Sequence, residues 1–372
     1  MPTPSSETPP PQHSYPCDAC GAEMRFVPGG GALVCDHCGN RKEITGPGPW
    51  QNSLKELDLA AALASQIPSE QTEQGAPLKC PNCGAEVVLE GDAHAGACPF
   101  CATPMVTGTG TTRRYKPRGV LPFALDERSA RAAMTDWLGG LWFAPSGLKE
   151  YARKGRKLQG IYVPYWTYDA LTRSSYRGER GTVYYETHTV MRDGKRQTVQ
   201  VAKVRWQPVS GRVSRAFDDI LVLASHALPK SYTDALEPWD LSALEPYSPA
   251  FLAGFAAEAY TVPLEDGYAE ARSKMDNVIA RDVRFDIGGD RQRIHGIDTQ
   301  VRDASFKHVL LPVWIAAYKY RGRSFRFVVN GRTGRVQGER PWSSWKIAFA
   351  VLLALIVAAA LGFAYAVQQG AM

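Results

Sequence analysis

Eight cysteines in four C-x2-C pairs constrain this chain more than any other feature of its 372 residues. Cys17 and Cys20 with Cys35 and Cys38 form one set, and Cys80 and Cys83 with Cys98 and Cys101 form the other. In both sets fourteen residues separate the inner cysteines, and the first pair runs on into Gly-Ala-Glu (Gly21–Glu23, Gly84–Glu86). Two thiolates from one C-x2-C turn reach a single ion, and a second such turn completes the tetrahedron of a structural zinc site. Gly21, Gly39 and Gly84 suit those turns because glycine tolerates positive φ. The spacing therefore predicts one small module used twice: zinc ribbons over 17–45 and 80–107, each holding one Zn2+ through four cysteines.

The residues between the pairs fit two short hairpins. Met24–Val27 and Ala32–Val34 flank a Pro28–Gly31 turn, and Val87–Leu89 and Gly96–Ala97 flank a turn near Gly91-Asp92. Modules this small bury little core, so the metal supplies their folding free energy. A disulfide framework is the competing reading. Residues 1–16 form a Pro/Ser/Thr-rich leader, expected to be disordered and lacking an apolar stretch. That points to a reducing compartment, where paired C-x2-C motifs favour metal. His37 and His94 lie beside sites that already have four thiolates, and read as bystanders.

Charge is unevenly spread. The net value is +6, yet residues 1–110 carry 5 Lys/Arg against 12 Asp/Glu, and residues 111–345 carry 37 against 25. Eight zinc-bound thiolates would make the front more acidic still. Phosphate backbones are bound chiefly through Lys and Arg, so the ribbons are better matched to a protein partner than to nucleic acid.

The C-terminal end carries the second strong signal. Ile347 to Val367 is an uncharged apolar run of 21 residues, ~31 Å as a helix and long enough for a bilayer core. Trp342 and Trp345 precede it at the position of an interfacial aromatic belt, and Lys346 marks the boundary. A transmembrane helix is expected over 346–367, followed by a tail at 368–372. Eight Lys/Arg lie between Lys319 and Lys346 against one acid, Glu339, and no charged side chain follows the helix. The positive-inside rule then keeps the N-terminus and body in the cytoplasm, as a single-pass protein of the inner membrane whose basic approach can meet anionic headgroups.

Between ribbons and anchor lie a linker (46–79) and an α+β body (108–345). Ser53–Gln66 reads as a short helix with Ser53 as N-cap and Glu56 completing a capping box, and serves as a spacer. In the body, Gly108–Thr112 is a hinge. Helices are expected over Asp126–Leu138, closed by Gly139-Gly140, from near Pro145 through a basic run at 153–157, and over Asp266–Arg281. Val183–Val190 and Gln197–Trp206 around Asp193-Gly194 read as a hairpin, and strand resumes from Phe285. Ser324–Val329 with Asn330-Gly331 closes the body as a second hairpin. Ile161–Trp166 and Leu310–Trp314 resemble each other, each with proline two residues before tryptophan. They suggest two related sheet units, with the prolines on edges or bulges.

No catalytic residue is predicted. The chain has no Walker loop, no zincin helix, no G-x-S-x-G elbow and no complete dinucleotide fingerprint. His188, His226, His295 and His308 have no partner at motif spacing. Asp218 and Asp219, as neighbours on a strand, are expected to face opposite sides.

The cysteine modules, the GIYVPYWTYDA stretch and the VNGRTGRVQGERPWS run before the apolar end resemble a group of bacterial membrane-anchored proteins. That group carries a zinc ribbon of the transcription factor IIB type, and its members are often labelled as similar to primosomal protein N′ (replication factor Y), a replication-restart helicase. The resemblance covers the chain from about Cys17, but the residues for ATP chemistry are missing, so helicase activity does not carry over. The resulting expectation is a membrane-anchored zinc-binding scaffold that presents two ribbons to a protein partner. A nucleic-acid-associated protein without its own motor is the alternative.

Overall fold

The computed structural model describes residues 15–44, 54–64, 72–75, 78–80, 85–88, 95–97, 100, 104–106, 112–143, 158–192, 195–320, 323–339 and 343–370. Residues 1–14 of the leader, most of the Gly108–Thr112 hinge, the helix from Pro145 with its basic run, and the Asp193-Gly194 turn lie outside them. The architecture is mixed α+β, with mainly antiparallel sheets.

The N-terminal module contains β1 (Met24–Val27), β2 (Ala32–Cys35) and β3 (Arg41–Glu43), paired antiparallel in that order. Then come β4 (Leu57–Asp58), α1 (Leu59–Leu63), β5 (Thr72–Gly75), β6 (Leu78–Lys79), β7 (Glu86–Val88), β8 (Ala95–Ala97), β9 (Pro104–Val106) and β10 (Thr112–Tyr115). The body continues with β11 (Gly119–Val120), α2 (Glu127–Gly140), β12 (Gln159–Arg192), β13 (Lys195–Leu223) and α3 (Lys230–Ala235). It closes with β14 (Glu245–Pro246), β15 (Ala256–Glu258), α4 (Leu264–Ile287), β16 (Arg291–Tyr320), β17 (Arg323–Asn330), β18 (Val336–Gly338) and α5 (Ser344–Gly370).

The central sheet is built on β12 and β16, antiparallel from Gln159↔Ile315 to Gly181↔Arg291. The two halves of the body repeat one plan around this pair. In each, a short strand lies parallel to one of the long strands, Gly119-Val120 beside Val309-Leu310 and Ala256-Ala257 beside Ile161-Tyr162. Each short strand leads to a helix, and a tryptophan on that same long strand pins its entry. Trp314 Nε1 donates to Leu125 O at 3.0 Å and Trp166 Nε1 to Val262 O at 3.1 Å, in both cases two residues before the helix. The inward faces correspond too: Ala130, Met134 and Leu138 on α2, and Gly267, Ala271 and Met275 on α4. The two related sheet units foreseen from Pro-x-Trp are present.

The placing of the prolines differs from expectation. Pro164 and Pro312 lie in the middle of the sheet, paired to Leu310 and Tyr162. Each sits where the long strand changes its outer neighbour. β12 leaves β15 after Tyr162 and meets β13 at Tyr165; β16 leaves β11 after Leu310 and meets β17 at Val313. The missing N–H faces that changeover, so no ladder bond is lost. Both proline carbonyls accept at the same point, from Ala224 N at 3.0 Å and Gly331 N at 2.9 Å.

Other boundaries shift for local reasons. Helix α2 includes Gly139 and Gly140. Helix α4 runs past Arg281 to Ile287, because Ile279, Val283 and Ile287 continue the buried four-residue spacing, and Gly288 at φ 65° ends it. The spacer helix is shorter and is docked: α1 is capped by Asp58, whose carboxylate accepts from Ala61 N at 2.6 Å. Glu56 reaches Lys307 and Ser305 instead of a capping box, and Phe306 pairs with Leu57 on the edge of β16. Ser53, Gln66 and residue 65 lie outside the described residues.

Helix α4 approaches the sheet closely at Gly267. A Cβ there would lie 2.5 Å from Tyr168 Oη and 2.7 Å from Trp166 Cδ1, both buried. At Gly139 a Cβ meets nothing within 4 Å. Gly267→Ala is therefore expected to destabilise by about 1–3 kcal/mol through overpacking. Gly139→Ala is expected to stabilise by roughly 0.5–1 kcal/mol. Denaturant unfolding of the detergent-solubilised chain checks the opposite signs.

Candidate metal centre

The first cysteine set converges. Cys17, Cys20, Cys35 and Cys38 bring their sulfurs within 4.8 Å of one another. Cys17 Sγ lies 3.5 Å from Cys38 Sγ, and Cys20 Sγ 3.5 Å from Cys35 Sγ. A disulfide needs about 2.05 Å. Four thiolates around one ion at bonds of about 2.3 Å form a tetrahedron with edges of about 3.8 Å, which the sulfur positions approach. No disulfide joins the described cysteines.

Local backbone structure makes the cage. Gly21 N bonds Cys17 O at 2.8 Å and Gly39 N bonds Cys35 O at 2.9 Å, with φ of 75° and 76° at the two glycines. The first knuckle closes through Cys17 N to Ala22 O, and N–H groups then point at sulfur: Ala19 N to Cys17 Sγ at 3.4 Å. That amide holds the Cys17 thiol down to about 6. Cys35 is lowered as well, first by the Cys38 amide. The Ala22 amide favours the Cys20 thiolate, but the neighbouring Cys38 and Cys35 sulfurs push that thiol up to about 12. Without a cation the cluster holds protons on some sulfurs and releases them from others. A dication removes the conflict by binding all four as thiolates. His37 stands outside the sulfur cluster and is exposed.

The second set is visible only at Cys80, which is buried. Cys83, Cys98 and Cys101, with His94, lie outside the described residues. The surrounding backbone repeats the first module. Cys80 N bonds Ala85 O at 2.7 Å, as Cys17 N bonds Ala22 O at 2.8 Å. Lys79 pairs with Glu86, as Pro16 bridges Glu23.

Neither module stands apart from the body. Cys17, Met24, Phe26, Leu33 and Cys35 share one buried cluster with Val120, Phe123, Met134 and Trp314. Phe26 N bonds Ala253 O, Gly29 N bonds Phe123 O, and the Phe26 ring sits 5.5 Å from that of Phe251. In the second module β7 pairs with β15, and Cys80, Ala85 and Phe100 join the other side of the sheet. Between the first module and α2 opens a cleft of about 970 Å³, floored by Phe255 and Trp314. Its charges are largely matched: Arg25 holds Asp36 at 2.6 Å and lowers its pKa, Arg131 pairs with Glu127, and Asp126 caps α2.

A carboxylate group missed by the sequence reading lies beside β16. Asp169, Asp218 and Asp219 place one oxygen each within 4.8 Å. The two neighbours meet because the strand bulges at Tyr168/Ala170 and Asp219 takes φ 53°. Simple alternation of strand faces could not show this. Lys307, only 7 % exposed, fills the group with its own cation at 2.8 Å from Asp219 and 3.1 Å from Glu56. Burial pushes the Asp169 carboxyl up to about 7. His308 is a buried core histidine, against the Trp166 ring at 5.1 Å.

Compared with curated proteins, the chain is similar to the uncharacterized protein YdjG of Bacillus subtilis strain 168. The two are 26 % identical over 337 residues, which is 90 % of this chain and 92 % of the relative. No family model matches the chain, and no solved structure matches it.

Two predictions follow from the joined modules. Cys35→Ser is expected to remove one metal equivalent, read by elemental analysis, and to lower the melting temperature of the body as well, because Cys35 shares its core. Glu258, on β15 beside the second module, is 2 % exposed and receives Ser225 Oγ at 2.5 Å. Burial pushes its carboxyl up to about 8. The folded chain thus holds a proton that the unfolded chain, with a carboxyl near pKa ~4.3, releases. Its contribution to stability is full below that value and is lost as pH rises through about 8. Glu258→Gln should flatten the fall in stability between pH 5 and 8, and an unchanged slope would contradict it.

Proposed function

We propose that this chain is a membrane-anchored zinc scaffold that presents two cysteine modules for recognition of a protein partner at the cytoplasmic face. The observation that carries this reading is the joining of a four-sulfur cage to a body that ends in an unburied apolar helix. Helix α5 offers Trp345–Tyr365, 21 residues with mean hydropathy 2.8 and none of that stretch buried against the body. Such a length suits a bilayer span, and the basic approach from Lys319 to Lys346 favours a cytoplasmic body. The all-cysteine donor set suits zinc in a closed structural site. With Cys17 and Cys35 buried and Cys20 and Cys38 exposed, the cage stiffens one wall of the cleft beside α2. A partner segment entering that cleft would meet an apolar floor and a charged rim.

Affinity capture from membranes tests this reading. Intact chain should hold two zinc ions and a defined partner set. Cys17→Ser/Cys20→Ser and Cys80→Ser/Cys83→Ser should each lose one ion and deplete that set. Partners that remain with both variants would refute recruitment through the modules.

One observation favours the nucleic-acid alternative. The face of β12, β13 and β16 opposite α4 carries Arg173, Arg177, Arg212, Arg293 and Arg302, all exposed. Phosphate-led binding through that face would show a steep salt slope and would weaken on Arg173→Ala/Arg177→Ala. The scaffold reading expects no binding of single-stranded DNA at ~0.2 M salt.

A further inference from the structure

The membrane-anchor reading leaves open whether the body hangs from α5 or rests on the bilayer, and the turn after α2 bears on this. Leu141, Trp142 and Phe143 follow the last residue of α2 and meet the start of α5. Ser343 N donates to Phe143 O at 2.8 Å, and Lys346 Nζ donates to Trp142 O at 3.2 Å. The turn is thus tied to the residue at which the chain changes from charged to apolar. Trp142 is 83 % exposed and Trp345, in the first turn of α5, is 82 % exposed; Phe143 is also exposed. Water is a poor environment for such surface, since removing a large apolar side chain from water is favourable. Among the described residues Trp142 is left largely uncovered, and the apolar stretch of α5 is not buried against the body.

We propose that Leu141–Phe143 is a second membrane contact, with Trp142 seated beside Trp345 in the headgroup and upper acyl layer. Indole favours that layer because its ring is apolar and its N–H polar. The lipid surface is the occupant on grounds of continuity: the turn is bonded to the first residues of the spanning helix. A protein partner would have to compete there with the bilayer itself. The contact passes to the whole fold through α2, whose Trp137 packs on Phe327 of β17 at 5.6 Å between ring centroids. The C-terminal end of α2 then faces the membrane. Its N-terminal end, which borders the cleft and the first cysteine module, lies 14 residues back, ~21 Å along the helix.

This inference rests on α5 spanning the bilayer, and the test separates the two. Full chain is reconstituted in phosphatidylcholine/phosphatidylglycerol vesicles with bromine at the 6,7 positions of the acyl chain. Tryptophan quenching is compared for wild type and Trp142→Phe, against the nine tryptophans of the chain. A fall in the quenched fraction of the emission on Trp142→Phe supports the contact. An unchanged fraction overturns it. So does protection of Trp142 from aqueous iodide that varies with protein concentration, which would place a second copy on this surface. A second variant, Trp142→Ser/Phe143→Ser, should remain in the pellet after alkaline carbonate, while hydrogen exchange rises at the C-terminal end of α2. Release of the wild-type chain by carbonate overturns both the anchor and the contact. Retention without quenching of Trp142 overturns the contact alone.

Discussion

The antiparallel ladder between β12 and β16 is the interaction on which the rest of the structure depends. Strands this long need cover on at least one face, and α4 supplies it with a row of buried residues from Leu264 to Ile287. The ladder also sets the repeated plan of the body. Each long strand brings a tryptophan to the entry of one helix and a proline to the changeover of one neighbour. Disturbing the pairing would displace both helices together, because each is pinned by an indole on one of the two paired strands.

The cysteine modules are attached to this frame and are not carried as separate heads. The first adds Phe26 to the aromatic group of Phe123, Phe255 and Trp314. The second adds β7 to the outer edge of β15. An ion held by the four sulfurs would therefore act on the body core as well as on the module. An isolated short hairpin is at best marginally stable in water. Here docking on the body supports it, and an ion held by the four sulfurs would add to that support. The first module therefore keeps a fixed position relative to the body core.

Much of this was legible in the sequence where chemistry is local. The cysteine spacing located the four-sulfur cage, Asp126 located a helix start, and the uncharged stretch after Lys346 located α5. Pro-x-Trp located the internal repeat, but not its place in the middle of the sheet. That place depends on which strand lies outside Pro164 and Pro312, and neighbours distant in sequence leave no local mark. The docking of residues 54–64 was hidden for the same reason: Glu56 finds Lys307 and Ser305 about 250 positions away. The meeting of Asp218 with Asp219 needed a bulge and a positive φ at a non-glycine residue, which alternation of strand faces does not foresee.

An ion held by Cys17, Cys20, Cys35 and Cys38 would hold the first module and the body as one unit. Hydrogen exchange on the vesicle-reconstituted chain, before and after chelation, tests it most directly. Loss of protection should spread from residues 17–44 into Val120–Phe123 and the Trp314 region of β16, which share its core. Loss confined to residues 17–44, with the body unchanged, would contradict it.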